Sequence, residues 1–141
     1  MRAEDFYQCV AEHLRTDRDR AKQITLCALE SLNHRLTQEV AEELAAQLPR
    51  DMEHRLQSAE YDASWDKQLF MAPLICLADS ERLLNEKHSD HNDPQRHDVV
   101  VQQIQGVFSA IKRCVQPSTV KHLTASLPPE VDQWFMDAPL S

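Results

Sequence analysis

The chain has a single glycine, Gly106, among 141 residues. That scarcity removes whole classes of fold. Tight β-hairpins use glycine to reach positive φ, and phosphate-cradling loops need several glycines for close backbone approach. A Walker loop and a dinucleotide fingerprint are excluded, and a meander of hairpins has little to turn on. Gly106 itself sits inside the apolar run from Ile104 to Phe108, away from any turn signal. With few β-branched residues as well, the expected fold class is all-α.

Helical spacing fills most of the chain. Phe6, Val10 and Leu14 recur every four residues and mark a first helix over about 3–15. Thr16 reads as the N-cap of a second helix, about 17–36, with Ala21, Ile24, Ala28, Leu32 and Leu36 on one face. Thr37 opens a third, with Val40, Leu44 and Leu48 inward and Glu39, Glu42 and Glu43 outward. Pro49 stands where a short fourth helix would begin, with Met52 and Leu56 inward. Residues 60–66 read as a linker. Phe70, Leu74, Leu77, Leu83 and Leu84 mark a helix from Lys67 to about Lys87, with Pro73 in its first turn or at a kink. Residues 88–96 read as polar loop. Val100, Ile104, Val107, Phe108, Ile111 and Val115 mark a long helix. Pro117 starts the next, and Pro128-Pro129 opens the last, with Val131 and Phe135 in phase.

A displacement of 79 residues superposes much of this pattern on itself. Leu32 falls on Ile111, Leu36 on Val115, Leu44 on Leu123, and Leu48-Pro49 on Leu127-Pro128. Asp51 falls on Glu130, Met52 on Val131 and Leu56 on Phe135, with no gap from about residue 19 to 56. Chance amphipathic patterning aligns apolar positions, but it does not also align the Leu-Pro punctuation and the acid that follows. The spacing predicts two tandem four-helix units packed as one pseudo-symmetric helical bundle domain. Unit one covers about 1–59, and unit two about 67–141 with an insert at about 80–94.

The motif Ala45-Ala46-Gln47-Leu48-Pro49 and its counterpart Ala125-Ser126-Leu127-Pro128 carry a family likeness. So do the aromatic and acidic pairs Tyr61-Asp62 and Trp65-Asp66 between the units. The chain resembles the bacterial family called domain of unknown function 2267. It departs from that pattern at Ser126, which stands where the signature has Gln, and in the insert. The resemblance implies the tandem helical fold and no particular activity, cofactor or partner.

The net charge of −8 argues against a nucleic-acid groove, which needs a basic stripe. Residues 60–98 hold nine acidic side chains against four basic ones, so the excess is concentrated in the linker and insert. No stretch approaches 18 uninterrupted apolar residues, so no membrane span is expected. The opening residues lack the apolar run of a signal peptide. Cys9, Cys27, Cys76 and Cys114 are far apart, and each falls on or beside an apolar face. Buried thiols in a reducing cytoplasm are expected.

Three places hold candidate functional residues. His88, His91 and His97, with Asp90, Asp93 and Asp98, offer imidazole and carboxylate ligands suited to weak divalent-metal binding. The competing reading is a solvated acidic loop. Asp62 and Trp65 lie where the units meet, at a cleft lip or plugging the interface; Asp66 is positioned to cap the following helix. Trp134 is out of phase with the inward Val131 and Phe135, so it is a partner-facing candidate. His13, His34, His54 and His122 read as surface residues, and no nucleophile–base spacing is present. The chain is expected to be a non-catalytic adaptor for a protein partner, with no cofactor. Metal or small-ligand binding is the alternative, and a homo-oligomer is compatible with the pattern.

Overall fold

The computed structural model describes residues 2–53, 56, 66–84 and 94–138, with backbone only at 51, 53, 78–84 and 94–96. Among the described residues every regular element is a helix. They are α1 (Ala3–Leu14), α2 (Arg18–Arg35), α3 (Gln38–Gln47), α4 (Arg50–Glu53), α5 (Lys67–Leu84), α6 (Pro94–Cys114), α7 (Pro117–Ser126) and α8 (Pro129–Asp137). The fold is an all-α helical bundle.

Local chemistry sets the helix ends. Arg15 closes α1 in the left-handed conformation, at φ 55°, and donates its N–H to Ala11 O. Thr16 N donates to the same carbonyl at 3.0 Å. That use of Thr16 in the closing turn of α1 corrects the expected cap. Asp17 takes the role, accepting from Arg20 N at 2.7 Å. Asp66 caps α5 in the same way, accepting from Leu69 N at 3.0 Å. Pro117 and Pro129 occupy first helical positions, where the missing N–H has no partner to lose. α6 already begins at Pro94, so residues 94–96 of the predicted loop are helical, and residues 88–93 lie outside the described residues. Pro73 lies past the first turn of α5 and leaves Leu69 O without an intrahelical donor.

Two cross-packed pairs hold the bundle together. α1 packs on α2 and on α6, while α5 packs more extensively on α2 than on its chain neighbour α6. Ser31 of α2 donates to Phe70 O of α5 at 2.6 Å, inside the core. The apolar interior is continuous from Phe6 and Val10 through Leu29 and Leu32 to Phe70, Phe108 and Phe135. The rings of Phe108 and Phe135 are 4.9 Å apart at their centroids, and Phe70 lies 6.2 Å from Phe108. Burying a side chain of this size contributes roughly 2 kcal/mol.

At Gly106 α6 closely approaches Leu14 at the end of α1. A methyl group there would lie 2.9 Å from Leu14 Cγ, well inside contact distance. The lone glycine therefore serves helix packing, and its φ is not positive. None of the four cysteines is in a disulfide. Cys9 is buried and Cys27 and Cys114 are half-buried, but Cys76 is exposed, against the expectation of four buried thiols. Burial pushes the Cys114 thiol up.

Candidate functional site

The densest described polar network lies where α3 meets α7. α3 supplies Glu43 and Gln47, one turn apart, and α7 supplies Thr119 and His122. Thr119, fully buried, donates its hydroxyl to Glu43 Oε1 at 2.9 Å and accepts from Gln47 Nε2 at 2.5 Å. Gln47 Oε1 in turn accepts the backbone N–H of Gln116 at 2.7 Å, satisfying a donor at the start of α7. At the other end of α7, Arg35 Nε donates to Ser126 O at 2.7 Å. The first half of the chain thus grips α7 at both termini.

His122 Nδ1 lies 2.8 Å from Glu43 Oε2. An ionised carboxylate only accepts, so Nδ1 is the donor to it. The hydrogen bonds from His122 and then Thr119 hold the Glu43 carboxyl below its ordinary range. The arrangement can orient an imidazole. Chemistry would need a third group beside it. Among the described residues no group of three or more His, Cys, Asp or Glu is placed to hold a metal ion.

A concave feature opens between the C-terminal end of α1 and the outer face of α6. It has a volume of about 270 Å³ and is lined by His13, Leu14, Arg15, Gln102 and Gln105.

The residues singled out from sequence divide into two sets. His88, His91, Asp62 and Trp65 lie outside the described residues. His97 is exposed, with Nδ1 3.8 Å from Asp98 Oδ1 and its ring edge-on to Trp134 at 6.3 Å. Trp134 is half-buried, and its carbonyl accepts from Gln105 Nε2 at 3.4 Å. No described helix is long and apolar enough to cross a membrane.

A family model described as "Uncharacterized conserved protein (DUF2267)" matches residues 3–134. The chain belongs to this family. The DUF2267 match runs from the start of α1 into α8, so it includes the α3–α7 network and the α1–α6 cleft. Comparison with curated proteins gives no match.

Glu43 and His122 are the residues that the sequence pattern passed over in this DUF2267 chain. His122 has no acid at i+4, so it read as a solitary surface histidine. The available signal was the displacement itself, because Glu43 and His122 are 79 residues apart.

Proposed function

We propose that this chain is a non-catalytic interaction module for a basic protein partner, working without a cofactor, a membrane or nucleic acid, in the cytoplasm. The observation that carries the reading is the outward face of α3. Glu39 and Glu42 are exposed there, and no basic residue lies on that helix. The third acid, Glu43, is engaged by His122 and Thr119, whereas Glu39 and Glu42 face solvent, with Glu42 accepting from Gln38 Nε2 at 3.1 Å. Such a face attracts a basic surface over a range set by salt. Support for two copies of one helical unit comes from α3 and α7, which are ten residues each and start 79 residues apart.

The test is capture by the immobilised chain at low and at high salt, repeated with E39Q/E42Q. The expected result is a partner retained at low salt only, and lost with the double variant. The same proteins retained under all conditions would refute the reading.

Metal binding by His88, His91 and His97 is the second reading, favoured by the exposure of His97 beside Asp98. Calorimetry with Zn²⁺ against the triple alanine variant tests it. Equal weak heats in both proteins would end it.

A further inference from the structure

We propose that the cleft between α1 and α6 is a binding site for a small oxyanion, a carboxylate or a phosphate. Among the described residues its lining is His13, Leu14, Arg15, Gln102 and Gln105, with no carboxylate; His13, Arg15 and Gln102 each carry an N–H donor, while Gln105 Nε2 already donates to Trp134 O at 3.4 Å. In a chain of net charge −8 this is an unusual composition. Among the described residues neither His13 nor Arg15 is in an ion pair. An Arg guanidinium without a carboxylate partner offers a planar fork that matches a carboxylate or phosphate through two parallel hydrogen bonds. The volume of about 270 Å³ is at the small end for ligand sites, which limits the occupant to a compact metabolite or an inorganic ion.

Two residue choices that stability alone would not select meet at this cleft. Arg15 is the one non-glycine residue at positive φ among the described residues, at the helix-closing position where glycine is ordinarily preferred. Gly106 is the only glycine in the chain, and it sits inside a helix, where alanine is preferred. Together they build the site. The missing Cβ at Gly106 lets Leu14 seat against α6, which brings the end of α1 beside Gln102 and Gln105. A glycine at 15 would keep the turn and lose the guanidinium. An alanine at 106 would push Leu14, itself part of the lining, out of its seat.

The site is independent of the acidic face of α3, and its test leaves that face untouched. The ¹⁵N-labelled full chain is titrated with inorganic phosphate, with succinate, and with glycerol as a neutral control. The expected result is saturable movement of the Gln102 and Gln105 side-chain amides and the Arg15 and Thr16 backbone amides. Saturation by phosphate, by succinate or by both identifies the source of the oxyanion. R15G is expected to weaken binding about tenfold or more, equivalent to losing one charge-assisted contact, while raising the Tm. Q102A, at an exposed position, is expected to weaken binding without moving the Tm. Linear or absent shifts with both anions, equal shifts with glycerol, or unchanged affinity in R15G would overturn the proposal.

Discussion

The two halves of the molecule, α1–α4 and α5–α8, share an apolar frame and differ at many polar positions. Leu44 and Leu123, Leu48 and Leu127, Met52 and Val131, and Leu56 and Phe135 are all buried, and each pair is 79 residues apart. Elsewhere the described residues of the two halves differ. The second half concentrates its rings in the Phe70–Phe108–Phe135 cluster. Lys112 closes α8 by donating to Ala138 O at 2.7 Å while lying over the Phe135 ring. At the junction the same displacement relates Glu43 to His122. There an acid on α3 meets an imidazole on α7, and the two form a hydrogen bond. Core positions are constrained by volume in both halves, whereas junction positions are free to become complementary.

The comparison can be broken most sharply in the core. Leu44→Ala and Leu123→Ala should each destabilise by about 2–5 kcal/mol, through lost burial plus a cavity. Urea denaturation measures both, and a large loss at one with none at the other would show that the positions are not equivalent. Next in size are the caps. Asp17→Ala and Asp66→Ala should cost about 1 kcal/mol each, whereas Thr37→Ala should cost a few tenths, because the Thr37 side chain makes no cap hydrogen bond. Equal losses at all three would contradict that division. Gly106→Ala should fall within about 1 kcal/mol of zero, since gained helix propensity opposes the overlap with Leu14. The Cys27→Gly exchange at the matching position has no such overlap to relieve and should only destabilise.

The smallest effect sharpens the junction. Glu43 titrates below its ordinary value of 4.5 in the folded chain, because His122 and Thr119 stabilise its charged form. A depressed carboxylate contributes stability above the unfolded value, and that contribution is lost as pH falls through the folded one. Thermal melts should therefore separate wild type from E43Q at neutral pH and converge below about pH 4.5. A separation unchanged down to about pH 3 would remove Glu43 from the network.

Much of the architecture was legible because it depends on period and punctuation. Phe6, Val10, Leu44 and Leu123 announce their helices by phase, and Pro117 and Pro129 announce starts by the donor they lack. The cap at Asp66 was legible for the same local reason. Thr16 misled because the preceding helix consumes its N–H, which no N-cap pattern reveals. The start of α6 was hidden because Gln95 to Asp98 present polar side chains with no apolar phase. The Glu43–His122 contact and the α1–α6 cleft were hidden for a deeper reason. Each joins residues from opposite halves, and neither leaves a short-range signature.

The pairing of α2 with α5 also has a consequence for synthesis. Ser31 and its neighbours on α2 are complete well before Phe70 exists to receive them. At about 5–20 residues per second, the ribosome needs several more seconds to deliver α5 and then α6. Over that interval the nascent first half holds a face made for helices not yet translated. Folding of this chain is expected to wait for its second half.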